Sequence, residues 1–312
     1  MLEALRDSGD QSVISKTTVL VLGAGASAPF GFPSGRKLLL DLSTELEVEA
    51  SVLFRLLYGL GFEPAKIQSF GQELRDSMQP SVDAFLENRP DLKELGKAAI
   101  AASLIRYEQA SAIARTERES WYEYLFQSLS GRFEKVARQM LSVITFNYDR
   151  SLEYFLFTAF RNSYGLSEKQ AWDMVASIPV LHLYGSLGTL QPGTPGHRAF
   201  TPNLDGAAVR AAASSIRIIQ DGKPSEELKN DSAHYLENAA NVCFLGFGYH
   251  PTNVRRLGID EFVPPDAKVY GTCFRMMNAE IDRARRLFER EIEFGSPNHD
   301  ALMLLRDLPV LG

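Results

Sequence analysis

The chain has 312 residues and a hydrophobic fraction of 45%, enough for one large domain or two small ones with a sizeable core. A net charge of −6 argues against a general nucleic-acid-binding surface, which needs clustered Lys and Arg, and no apolar run approaches a membrane span. The opening segment MLEALRDSGDQSVISK lacks the apolar core of a signal peptide, so a cytoplasmic protein is expected. Cys243 and Cys273 sit in apolar runs and read as buried thiols; with five scattered histidines they offer no ligand spacing, so no metal is expected.

The first predicted element is a buried strand, Val19–Leu22, closed by the turn Gly23-Ala24-Gly25-Ala26-Ser27. Gly23 and Gly25 leave no side chain between the main chain and a bound group, as a strand-to-helix turn requires when backbone N–H groups hold a diphosphate. Tight turns also use glycine for structure alone. A helix over KLLLDLSTEL packs back on the strand. From 43 to 140 no convincing strand occurs and helical periodicity dominates, broken at Pro80 and Pro90; this reads as a helical insertion, a cap or small lobe over a sheet.

Alternation resumes at Leu141. LSVITFNYD reads as a strand, SLEYFLFTAF and SEKQAWDMVASI as helices, PVLHLYGSL as a strand, and QPGTPGHRAFTPN as a loop. Then come the strands NVCFLGFGY and KVYGTCF and a charged helix NAEIDRARRLFEREIEF, on which Asp282 and Arg286 stand four apart, the spacing of an exposed ion pair. The pattern predicts a single α/β domain over 1–312, a Rossmann-like doubly wound parallel sheet with a large helical insertion. Polar or glycine residues follow four of the strands, at Gly23–Ser27, Thr145–Asp149, Tyr184–Ser186 and Gly246–Asn253. In open α/β sheets such strand ends line the ligand crevice.

These segments resemble the sirtuin family. Gly23, Ala24, Gly25, Ser27, Gly31, Pro33 and Arg36 fall at the spacing of its Gly-Ala-Gly-x-Ser…Gly-x-Pro…Arg signature. Thr145-Phe-Asn147-Tyr-Asp149 is similar to its Thr-Gln-Asn-x-Asp segment, HLYGSL to its His-Gly-Ser segment, and GFGYHPTN stands where the family meets the adenosine ribose. The segments FNYDRSLE, SVDAFL and FLGFGYHPTN look closer to bacterial NAD-consuming members than to protein deacylases. The resemblance implies an NAD site built from Gly23, Ala24, Gly25, Ala26, Ser27, Pro33, Ser34, Arg36, Thr145, Gly246, Gly248, His250, Asn253 and Thr272, the last beside the adenine. It implies catalytic roles for Asn147, Asp149 and a base at the His-Gly-Ser segment.

The departures are specific. The four cysteines of the deacylase zinc ribbon cannot be supplied, Phe146 replaces a glutamine, and Ser34-Gly35 replaces the family's Asp-Phe. Tyr184 stands before Gly185, where sirtuins carry their catalytic histidine, and His182 lies two residues earlier. On a strand the two would share a face, with the imidazole about 6–7 Å further down. Histidine is the better-matched base at neutral pH, so His182 is favoured, with Tyr184 as pocket wall or donor. His182 also reads as an ordinary strand histidine, and Asn147 or Asp149 as caps of the next helix.

The expected activity is NAD+ glycohydrolysis, giving nicotinamide and ADP-ribose. By resemblance this implies an antiphage effector that depletes NAD, works as a homo-oligomer, and is held in check by a partner such as a HerA-type ATPase. The alternatives are a non-catalytic sensor of NAD or ADP-ribose, and an NAD-dependent deacylase or ADP-ribosyltransferase. Asn147, placed by the sequence at an exposed strand end, is expected to be essential for turnover and dispensable for the fold.

Overall fold

The computed structural model describes residues 14–114, 118–130, 140–219 and 226–312. The opening segment read for a leader, and residues 131–139 of the expected helical stretch, therefore lie outside the described residues apart from 14–16. Six strands form one parallel sheet: β1 Thr18–Leu22, β2 Leu141–Thr145, β3 Val180–His182, β4 Asn241–Leu245, β5 Lys268–Gly271 and β6 Glu293–Phe294. Their order is β3-β2-β1-β4-β5-β6, the arrangement of the doubly wound dinucleotide-binding folds. The direction of winding reverses between β1 and β4. There, Leu22 stands level with Thr145 of β2 and Leu245 of β4, so the three strand ends finish flush.

The sheet is buried on both faces, which is why β1 and β4 read as continuous apolar runs. Leu20, Leu22, Leu141, Val143, Cys243 and Leu245 enter one core; Val19, Val21, Ile144, Val242, Phe244 and Val269 enter the other. The helices after β4 and β5 cover the second face through Val254, Leu257 and Ala284, with Phe288 just past the second of them. Both cysteines are free and buried, Cys243 in the sheet and Cys273 just beyond β5. Among the described residues no helix is long and apolar enough to cross a membrane.

The last expected helix is shorter than its sequence suggested. It ends at Arg285, and Glu293–Phe294 instead pairs with Tyr270–Gly271 as an edge strand. Two residues carry no readable period, and the strand is fixed by tertiary packing: Phe294 meets Tyr249 edge-on at 5.2 Å. With the helix ending there, Asp282 pairs with Arg285 at 3.1 Å rather than with Arg286.

Between β1 and β2 the described residues hold helices and no strand. The longest are Gly35–Leu46, Pro64–Asp76 and Lys93–Ile105, with Pro90 opening the short turn before the last. Lys93–Ile105 buries Leu95, Ala98, Ala99, Ile100, Ala101, Ala102, Leu104 and Ile105, apolar on nearly every side, so it runs through the centre of the layer. Its residues and those of the first sheet face belong to one continuous core.

Just past that helix lies Glu108, fully buried between two guanidiniums. Arg150 donates to both its carboxylate oxygens at 2.7 and 2.8 Å, and Arg198 binds Oε2. The remaining guanidinium donors reach main-chain carbonyls of Leu187, Thr189, Arg198, Ala199 and Thr201. This triad ties the Gly/Pro-rich loop to the helical layer. Glu108→Ala leaves two buried cations without their anion and is expected to cost about 3–5 kcal/mol in chemical denaturation. A variant within about 1 kcal/mol of the parent would remove the triad from the stability of the fold.

Candidate functional site

At the reversal point two turns touch through their backbones. After β1 the chain enters a short helix, Ala24–Ser27, and Gly25 donates its N–H to the Gly246 carbonyl beyond β4 at 3.0 Å. A Cβ on Gly23 would lie 2.6 Å from that oxygen, and one on Gly25 would lie 2.8 Å from it. Gly246 has φ +58°, and a Cβ there would fall 2.0 Å from the Ala26 nitrogen. Glycine is thus demanded by the packing of one turn on another. The expected diphosphate cradle needs correction at three positions, because the Gly23, Gly25 and Ala26 N–H groups are spent on the Leu245, Gly246 and Gly23 carbonyls. Thr272, expected near the adenine, accepts the Gly246 N–H on its hydroxyl at 2.8 Å and so braces this contact from below.

Asn147 and Asp149 follow β2 and lie against the first turn. Asn147 is buried rather than exposed: its Nδ2 donates to Gly23 O at 3.0 Å and to Ser27 Oγ at 3.1 Å, while its N–H is held by Thr145 Oγ1 at 3.0 Å. Both amide hydrogens are committed, and Oδ1 is the end that remains. The Ser27 hydroxyl, accepting from Asn147, bonds onward to Asp149. Ser151 gives Asp149 Oδ1 both its N–H, at 3.2 Å, and its hydroxyl, and Tyr122 meets Ser151 Oγ at 2.7 Å. The donors converge on one carboxylate. Burial nonetheless raises the Asp149 pKa above the usual carboxylate range, against the lowering effect of the Ser151 and Ser27 bonds.

His182 closes β3 beside this group. Its Nδ1 lies 2.8 Å from the Asn147 carbonyl and its Nε2 lies 2.8 Å from Glu153 Oε1. A carbonyl can only accept, so Nδ1 carries hydrogen, and Nε2 faces a carboxylate. Neither nitrogen is left for a substrate hydroxyl in this arrangement. Burial alone would lower the His182 pKa, but Glu153, the Asn147 carbonyl and Asp149 together raise it, which favours the imidazolium.

Tyr184 is not on the strand. Gly185, at φ +70°, returns its N–H to His182 O at 3.1 Å, and the chain turns away to bridge Ile216. A Cβ on Gly185 would meet the Ser215 carbonyl at 2.0 Å, so only glycine fits this turn. His182 and Tyr184 therefore enter separate polar clusters instead of sharing a strand face. The Tyr184 hydroxyl donates to Asn253 Oδ1 at 2.9 Å and accepts from Arg256, which also pairs with Glu87 at 2.8 Å. Tyr148 donates to Asp83 nearby. Burial first, and then Asp83, push the Tyr184 phenol well above its ordinary pKa, so it stays a neutral donor. Phe146 stands edge-on to Tyr184 at 5.7 Å and to Phe247 at 5.1 Å, an aromatic wall across the β2 and β4 ends.

The remaining expected residues form the rim. Ala24 is half-buried and Pro33 buried; Ser34 caps helix Gly35–Leu46 by accepting from Lys37 N at 3.2 Å, with Arg36 exposed on its first turn. Gly248 and His250 are exposed, on either side of the buried Tyr249, whose left-handed φ of +49° is held by a hydroxyl bond to Thr272 O at 3.0 Å. Glu153, Ser151, Tyr122, Asp83, Glu87 and Arg256 escaped sequence reading. Each sits on a helix, or in the case of Glu87 directly after one, whose pattern announces only packing, although SVDAFL and FNYDRSLE contain three of them.

No family model matches the chain and no curated protein matches it.

The raised Asp149 pKa has a signed consequence. The native state holds this proton more tightly than the unfolded chain, so stability is lost as pH rises through the native pKa. Asp149→Asn, which keeps an acceptor for Ser151, is expected to gain in denaturation midpoint relative to the parent as pH rises from about 4 to about 7. A gap that moves the other way would show that the hydrogen bonds outweigh burial.

Proposed function

We propose that the chain is an NAD+ glycohydrolase that releases nicotinamide and ADP-ribose. The observation that carries this reading is the place of Asn147. It stands at the end of β2 and binds the β1 turn through Gly23 and Ser27, beside the strand reversal where doubly wound sheets take dinucleotides.

In the proposed reaction water adds to C1′ of the nicotinamide ribose as the C1′–N bond breaks. The bonding pair leaves with nicotinamide and neutralises its ring, so positioning and electrostatics matter more than a strong acid. Asn147 Oδ1 accepts a hydrogen bond from the water or a ribose hydroxyl. The proton lost by water passes to Asp149, whose raised pKa suits it to receive one, directly or through the Ser27 hydroxyl. The Asn253 amide group, its oxygen held by Tyr184, offers hydrogens to the adenosine ribose. Ser34 and Arg36 at the start of helix Gly35–Leu46 supply diphosphate contacts that the spent N–H groups of Gly23, Gly25 and Ala26 do not. By the motif resemblance, the biological role is NAD depletion in infected cells, with a homo-oligomer and a HerA-type ATPase or similar defence partner as the means of control.

A second reading, a sensor of NAD or ADP-ribose, is favoured by one observation: both His182 nitrogens are engaged and Tyr184 fills the position before Gly185. Nicotinamide release from NAD by the purified chain, alone and with its candidate partners, separates the two. Turnover is expected for the parent and a loss on the order of 10²-fold or more for Asn147→Ala. Because Asn147 is buried and bridges two groups, that variant is also expected to melt lower, so turnover is compared below its transition. Tight NAD binding without any nicotinamide release would replace the enzyme by the sensor. Undiminished release by Asn147→Ala would take Asn147 out of the reaction.

A further inference from the structure

We propose that Glu153 and His182 are a positioning pair, an ion-paired imidazolium that locks the Asn147 peptide and is not the base of the reaction. The kinetic part of this inference rests on the NAD-cleavage reading; the structural part does not.

Three bonds in series make the case. Glu153, on helix Ser151–Tyr164, holds His182 Nε2 at 2.8 Å; His182 Nδ1 donates to the Asn147 carbonyl at 2.8 Å; and the Asn147 amide donates to Gly23 O and Ser27 Oγ at 3.0 and 3.1 Å. Glu153 is 18% exposed and His182 11%, so water screens the pair only weakly. With His182 charged, both N–H groups point at acceptors and the series is closed. With His182 neutral, one nitrogen must present a lone pair either to the Asn147 carbonyl or to the Glu153 carboxylate. One contact turns repulsive: a bare Nδ1 releases the Asn147 carbonyl, while a bare Nε2 is repelled by Glu153, which holds the ring against that carbonyl; either way the hold on Asn147 loosens, and Thr145 Oγ1 on its N–H is the backbone anchor that stays. A catalytic amide displaced by about 1 Å loses on the order of 10²-fold in rate.

The acidic groups acting on the ring come from two elements: Glu153 from the helix and Asp149 from the loop after β2, with the Asn147 carbonyl as the third favourable contact. All three favour the cation and together outweigh burial, which opposes it. The sign then separates positioning from base catalysis. The pair is intact below the native pKa of His182 and dissolves as pH rises through it, so a positioning role puts His182 on the alkaline limb of the rate profile. A base must be neutral to act, which would put it on the acid limb.

The test uses the full-length chain selectively labelled with 15N-histidine and 15N-asparagine, titrated without NAD, beside pH–rate profiles for NAD cleavage. In the parent, His182 is expected to hold both ring protons at neutral pH, and the Asn147 side-chain amide signal to shift with the His182 titration. In Glu153→Gln the His182 midpoint is expected to move to lower pH, and the alkaline limb of kcat to follow it while KM changes little. His182→Asn keeps a donor in place of Nδ1 and is expected to retain about tenfold or more turnover over His182→Ala, with the alkaline limb gone. The proposal is overturned if the Asn147 signal ignores the His182 titration, or if kcat falls on the acid side with the His182 midpoint. If no variant and no parent cleaves NAD, the spectroscopic arm still decides the pair, and only the enzymatic reading fails.

Discussion

Gly25 gives its N–H to the Gly246 carbonyl at 3.0 Å, and side chains on Gly23, Gly25 or Gly246 would all collide across that contact. The rest of the site inherits its geometry from this backbone junction. It brings the turns after β1 and β4 together at the reversal of the sheet. Because Gly23 then points its carbonyl at β2, it gives the Asn147 amide a fixed acceptor. Thr272 holds the same junction from the β5 end, through the Gly246 N–H. Three neighbouring strand ends are thus tied by main-chain and hydroxyl bonds before Asn147 or Asp149 is placed. Rigid elements locate such groups better than loops do, and here the loops are made rigid by their contact.

Two polar clusters flank the junction and are separated by the Phe146, Tyr184 and Phe247 rings. On one side, hydroxyl and amide donors converge on Asp149; on the other, Arg256 joins Glu87 to Tyr184. Within the first cluster, which also takes in His182, the protonation tendencies run apart. Asp149 is pushed towards its neutral form and His182 towards its charged form, although both are buried, because only His182 has a carboxylate in direct contact. Adjacent groups thus come to favour opposite charge states through their partners rather than their depth.

The sheet was legible because its strands are buried on both faces, leaving apolar runs such as VLVL and VCFL that helices of the same length rarely show. The strand ends were legible for a related reason: apolar residues give way to Gly, Asn and Asp where the sheet stops. Edge strand β6 was not, since two residues hold no period, and pairing with Tyr270–Gly271 together with Phe294 packing on Tyr249 fixes them. Among the site residues, Asn147 was placed correctly along the chain but wrongly in depth. Nothing local says that its amide reaches a carbonyl 124 positions away. The face shared by His182 and Tyr184 failed for a sharper cause, the left-handed Gly185 that bends the chain between strand and Ser186. Glu153, on a helix, and Glu108, just past one, were invisible because a lone acid looks solvated until its partner arrives from elsewhere.

The helical layer between β1 and β2 is bound into the site by more than its apolar core. Trp121 Nε1 donates to Ala26 O at 2.8 Å, Tyr122 meets Ser151 at 2.7 Å, Glu87 pairs with Arg256 at 2.8 Å, and Glu108 holds Arg150, the residue directly after Asp149. Swinging this layer away as a rigid lid would break all four ties and expose part of the continuous core. Each buried charged tie costs several kcal/mol to sever on one side. Control of such a site by wholesale lifting of the layer is therefore energetically remote, and small shifts at the ties are the cheaper route. Helix Val82–Leu86, with Glu87 directly after it, is the part of the layer that reaches Tyr184 and Tyr148 most directly. A displacement there changes the partners of both phenols while leaving the glycine junction and Asn147 in place.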